Sequence, residues 1–224
     1  ISPAATGVVY MAATARLSYA LGEEREMPRA LTRTNANDVP VVSILVAAVV
    51  GTLALGPFKS WNALVAVVTG AVAIMYAFAP VSLAALHKVD GTRPRSYRVP
   101  VPKLLLPAAF CSANLIMYWG GFDTTWKLTL AMAAGFALFA IGAIRRNTGA
   151  LRATGSALWM VPWLGGHVII GVLGRYGGGR NVLPDWIDLL VVVVFSLVIF
   201  YWAVGLSLSK EQAAIAVAKD AHQM

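Results

Sequence analysis

Ser2, Thr6, Tyr10 and Thr14 recur every four residues in an otherwise apolar opening segment. Side chains four apart share one face of an α-helix, so these four hydroxyls form a stripe. Two chemistries fit it. The stripe can line a path for a polar substrate or supply oxygens to a cation. It can equally hydrogen-bond across packed helices, beside the small residues Ala4, Ala5, Gly7, Ala12 and Ala13 that let helices approach. Thr69, followed by Gly70 and then Pro80, is a second candidate. Proline frees a backbone carbonyl, and transporters place such groups at sites in broken helices; an ordinary packing kink is the alternative. His167, in "WMVPWLGGHVIIGVLG", is the one ionisable group well inside an apolar run. It can act as a proton-linked group, or sit neutral and bonded to a neighbouring carbonyl opened by Pro162.

Other chemistry is missing from the sequence. Asp123, Asp185 and Asp188 fall at the ends of apolar runs, so no proton-carrying carboxylate is expected deep in a span. No nucleophile elbow, Walker loop or Cys/His metal spacing occurs, so neither an enzyme nor a metal or cofactor site is expected. "GRYGGGRN" at 174–181 has three consecutive glycines, and such loops can cradle phosphate. Without a strand before it and Lys-Ser/Thr after it, it reads as a flexible external connection. Cys111 is the single cysteine and forms no intrachain disulfide.

The elements carrying these residues are set by composition. The chain has 224 residues, 58% hydrophobic and 12% charged, with mean hydropathy +0.71. A soluble domain averages about 25% charged residues. A water-soluble core cannot hide this much apolar surface, and the lipid bilayer is the implied surrounding. Seven segments approach the roughly 20 apolar residues that a span needs: roughly 1–18, 39–57, 62–87, 101–121, 126–144, 157–175 and 186–208. The first is short and starts at Ile1, and is expected to be the downstream part of a span that begins earlier. Of the 18 Lys and Arg residues, 14 fall in the first, third and fifth loops and the tail. That alternation is the positive-inside pattern and predicts a cytoplasmic C-terminus. Trp61, Trp119, Trp126 and Trp186 flank the even-numbered loops, as interfacial tryptophans do. The net charge of +8 is scattered over short loops without interleaved aromatics, which argues against nucleic acid as a partner.

The fold class expected is an all-α integral membrane protein of about seven transmembrane helices. The fifth loop, "RRNTGALRATGSA", divides residues 1–144 from an accessory helix pair at 145–208. A cytoplasmic tail, 209–224, opens with a Ser209/Gln212 capping box.

The charged loop "ARLSYALGEEREMPRALTRTNANDVP" resembles the loop after the eighth helix of amino acid permeases in the amino acid–polyamine–organocation superfamily. Arg16, Tyr19, Ala20, Leu21, Met27, Pro28 and Pro40 carry the likeness, and Arg25 stands where a Gly is usual. "RPRSYRVP" looks like the loop after the tenth helix. The last two apolar segments look like the extra pair of fourteen-helix members, some of which resemble aspartate–proton symporters. The resemblance implies the C-terminal part of a five-plus-five inverted-repeat transporter fold plus accessory helices. It also implies a multi-pass protein of the cytoplasmic membrane, an amino acid substrate, and a proton or sodium as coupling ion. An amino acid or polyamine antiporter, and a structural or channel-like subunit, are the alternatives. The family's substrate site, at the unwound middles of the first and sixth helices, would lie upstream of this stretch. The first helix here would border the central path.

Overall fold

A computed structural model describes residues 2–24, 27–56, 60–91, 97–145, 154–184 and 186–208. Every regular element among them is helical. Among the described residues there are seven α-helices: α1 (Ser2–Glu23), α2 (Val41–Leu55), α3 (Trp61–Val89), α4 (Pro102–Trp119), α5 (Phe122–Arg145), α6 (Met160–Leu173) and α7 (Ile187–Gly205). Two 3-10 turns, Arg29–Thr32 and Thr154–Ala157, lie between them. Each α-helix falls on one of the seven apolar segments. By length and apolarity, α3, the run Gly155–Leu173 and α7 can each cross a membrane alone. α4 and α5 as far as Leu138 qualify together, as a pair bent by 113°. The protein is thus an all-α membrane protein.

The chain forms two compact units, residues 1–64 with 133–151 and residues 65–132 with 152–224. In the first, the charged loop is a built structure. Met27 N–H reaches back to Leu21 C=O and closes α1. Pro28 then leads into the 3-10 turn, whose Leu31 is buried. Asn35 Oδ1 accepts from the N–H groups of Asn37 and Val39, both at 3.0 Å, which folds 35–39 into a tight turn before Pro40 opens α2. Buried Ser43 on α2 donates to Leu31 C=O at 2.9 Å and ties the helix to the turn. Short side-chain-to-backbone bonds of this kind give a polar loop one conformation.

The second unit has a continuous core. α3 contributes small residues at helical spacing, Gly70, Ala73, Ala77 and Pro80, and runs unbroken through Pro80. The broken-helix alternative for this segment is therefore absent. Bulky rings fill the space the small face leaves. Phe110 of α4 and Trp163 of α6 are wholly buried with centroids 5.9 Å apart. Phe78 meets Trp159 at 5.5 Å, and Phe200 of α7 meets Phe110 at 5.8 Å. α7 shows why a membrane is required. It buries Val192, Ile199 and Phe200 on one side and exposes Leu190, Val194 and Val198 on the other. A helix apolar all round belongs in a deep core or a bilayer. Lipid tails are as apolar as leucine, so close packing and hydrogen bonds hold such helices together.

The glycine loop is not a loose connection. Gly121 and Gly177 both have positive φ, and a Cβ on Gly177 would lie 2.7 Å from the Gly121 Cα. Only two glycines permit this approach. It lets Phe122 N–H donate to Tyr176 C=O and Asp123 N–H to Gly177 C=O, at 3.1 and 2.9 Å. These bonds satisfy N–H groups that a helix start leaves unpaired, so α5 starts at Phe122 and not near 126. The loop then folds back on α6, where Arg180, Asn181 and Val182 donate to the carbonyls of Val172, Gly174 and Leu173. The glycines serve backbone contact, and the flexible reading of 174–181 is corrected.

Candidate functional site

Two buried polar layers cross the seam of α4, α6 and α7. In the first, Trp163 Nε1–H donates to Asn114 Oδ1 at 2.9 Å. Asn114 Nδ2 donates to Ser196 Oγ at 2.9 Å, and Ser196 donates to Val192 C=O at 2.6 Å. Trp163, Asn114 and Ser196 are all 0% exposed. Each of the three side chains has a hydrogen-bond partner, and a polar network of this kind favours one packing.

The second layer is charged. Asp188, in the first turn of α7, is 1% exposed. Its carboxylate accepts from Tyr118 Oη–H at 2.8 Å, from Arg175 Nε–H at 3.1 Å and from Leu189 N–H at 2.8 Å. The Arg175 guanidinium also lies 5.5 Å from the Tyr176 ring centre, and Tyr176 meets Tyr118 edge-on at 5.3 Å. Asp188 thus joins α4, the glycine loop and α7. Its position at a segment end hid this in the sequence. The signal available was spacing: Phe110, Asn114 and Tyr118 on α4, and Asp188, Val192 and Ser196 on α7, each step by four.

The sequence candidates fall elsewhere. Thr6, Tyr10 and Thr14 are exposed along α1, Tyr10 at 70%. Ser2 opens the helix, and Ser18 Oγ–H donates to Thr14 C=O at 2.9 Å, extending the stripe by a turn. The buried positions of α1 are Ala15 and Gly22. At about 100° per residue, Thr6 and Tyr10 lie roughly half a turn away from that face. Thr69 is exposed beside buried Gly70.

His167 is 2% exposed. Its Nδ1 lies 3.0 Å from Trp163 C=O, one turn back on the same helix. Pro162 does not free this carbonyl. A carbonyl only accepts, so Nδ1 carries the hydrogen and Nε2 of the neutral ring is an acceptor. That atom is buried without a partner among the described residues. The Trp163 and Phe195 rings pack edge-on against the imidazole, at 5.9 and 5.3 Å.

Among the described residues no cluster of three His, Cys, Asp or Glu could hold a metal. The α4–α6–α7 layers hold helices together, whereas Thr6, Tyr10 and Thr14 are exposed along α1.

Residues 4–141, well over half of the chain, match the family described as amino acid permease. The chain belongs to that family. The match places this permease among transporters and not among enzymes. It is 28% identical to the aspartate–proton symporter of Bacillus subtilis (strain 168), over 91% of this chain and 40% of that protein. It is 26% identical to the glutamate/serine transporter AimA of the same organism, over 91% of this chain and 38% of that protein. The chain thus spans about two-fifths of the length of the curated relatives it matches. Both matches are long enough to include α6 and nearly all of α7, which lie beyond the family match. No solved structure matches.

Proposed function

We propose that the chain is the C-terminal part of a secondary active transporter that moves amino acids into the cell by proton-coupled symport. The observation that carries this reading is the permease match over residues 4–141. The names of the two relatives support an amino acid substrate, and that of the first supports proton coupling. In this reading all seven α-helices lie in the cytoplasmic membrane with the C-terminus inside. The stripe Ser2, Thr6, Tyr10 and Thr14 borders the transport path, and Thr69 is a second candidate on it. His167 is a packing residue, since its described partners are a carbonyl and two rings.

The test is uptake by the full-length protein in proteoliposomes, across a panel that includes aspartate, glutamate and serine. Saturable uptake driven by an inward proton gradient and abolished by a protonophore is expected. Sodium-dependent uptake that ignores the protonophore would overturn the coupling, and no uptake across the panel would overturn the function. Thr6→Val then tests the path. A hydroxyl lost from a polar solute in a low-dielectric site costs about 1–3 kcal/mol, or roughly five- to 150-fold in apparent affinity. Unchanged affinity with a lower melting temperature would make the stripe a packing feature.

A further inference from the structure

A groove of about 460 Å³ opens between the end of α3, the start of α4 and the end of α7. Its floor is apolar, with Leu106, Phe200 and Val204, and its rim carries His87, Lys88 and Lys103. Among the described residues that line it there is no carboxylate. A neighbouring groove of about 330 Å³ on the other side of α3, lined by Phe78, Val81 and Met160, has no cation among its described lining residues. The charge is therefore particular to the first groove.

Part of that charge is accounted for within the fold. Lys88 Nζ donates to the carbonyls of Val204 and Gly205, at 3.1 and 3.3 Å, at the carbonyl end of α7 where a cation is favoured. An ammonium has three N–H donors, and these carbonyls take two. Lys103 is not accounted for in this way. It is exposed in the first turn of α4, which has no acidic residue and no side-chain cap. A helix start favours anions and disfavours cations.

We propose that this groove binds an anionic phospholipid. The phosphate is held by Lys103 with His87 and Lys88, and an acyl chain lies along Leu106, Phe200 and Val204. Charge complementarity selects the ligand. Three basic residues with no carboxylate among the described lining meet an anion, and the apolar floor meets a hydrocarbon tail. Basic pockets between membrane helices recognise lipid head groups by the same pairing.

The test uses the full-length permease in detergent, melted against increasing phosphatidylglycerol or phosphatidylcholine. Phosphatidylglycerol is expected to raise the melting temperature and phosphatidylcholine is not. Lys103→Gln should raise the half-saturating phosphatidylglycerol concentration about fivefold, the factor for about 1 kcal/mol per basic residue near an anionic head group. Arg33→Gln, an exposed cation of the other unit, should leave it unchanged. Ala84→Phe, which fills the groove without altering charge, should weaken phosphatidylglycerol binding. If that variant fails to fold, Lys103→Gln decides alone. Equal stabilisation by both lipids, or no effect of Lys103→Gln, would overturn the proposal. Stabilisation by inorganic phosphate alone would overturn the lipid and assign the groove to a free anion.

Discussion

Arg175→Gln tests whether burial or distance sets the strength of an ion pair in this protein. Two pairs invite comparison. Lys127 and Asp123 on α5 approach to 2.6 Å, but their side chains are 24% and 64% exposed. Arg175 and Asp188 are farther apart at 3.1 Å, with exposures of 31% and 1%. By distance alone Lys127 would matter more. An exposed i,i+4 pair contributes about 0.3–0.5 kcal/mol, so Lys127→Gln should cost little. Removing one partner of a fully buried pair costs about 3–5 kcal/mol, because a charge is left uncompensated. Arg175 is nearly one-third exposed, and Asp188 keeps Tyr118 Oη–H and Leu189 N–H. Roughly half that cost is then expected, about 1.5–2.5 kcal/mol. Asp188→Asn in the Arg175→Gln background should recover part of it, since the orphaned charge is gone. The assay is unfolding of the full-length permease by detergent titration for both single variants and the double variant. Equal costs for Lys127→Gln and Arg175→Gln, or no recovery in the double variant, would refute the argument.

Three further outcomes follow from the geometry. Gly177→Ala should destabilise by more than the roughly 1–2 kcal/mol of a left-handed non-glycine residue, since its Cβ meets backbone; Gly178→Ala, whose Cβ meets nothing nearer than Phe122 at 3.9 Å, should cost less, and thermal melting ranks the two. His167→Gln should lower the melting temperature while leaving the pH profile of uptake in place, and a displaced profile would show that the ring carries a transported proton. With Cys111 buried, a cysteine at exposed Val182 should react with an impermeant maleimide added outside cells and one at Arg33 should not; the reverse pattern would invert the topology.

The helices were legible because membrane spans announce themselves by apolar length. The segment near 186–208 became α7 at Ile187–Gly205, and that near 62–87 became α3 at Trp61–Val89. The start of α5 was not legible. It depends on Gly121 meeting Gly177, 56 positions away, and no local pattern records that pairing. The run "GGG" looked loose because glycine lacks intrinsic order, yet the same freedom permits the tight backbone contact. The charged loop was recognisable by Pro28 and Pro40, while its closure by Ser43 and Asn35 needed coordinates. The Ser209/Gln212 capping box, Arg25, and most of "RRNTGALRATGSA" lie outside the described residues.

Polar groups inside a membrane protein are costly enough to suggest function by default, and this chain shows why that default needs a second criterion. Asn114, Ser196, Tyr118 and Asp188 are deeply buried polar groups of the seam, and each has partners within 3.1 Å. To meet a substrate any of them would first have to break a bond in a low-dielectric setting. An unsatisfied buried partner costs about 1–3 kcal/mol, so solute binding there would lose that amount at the outset. The hydroxyls of Tyr10 and Thr14 lie exposed on α1 and face no such cost. Depth of burial therefore points to the groups that hold this fold together. The proposed path residues Tyr10 and Thr14 on α1 are not among those groups.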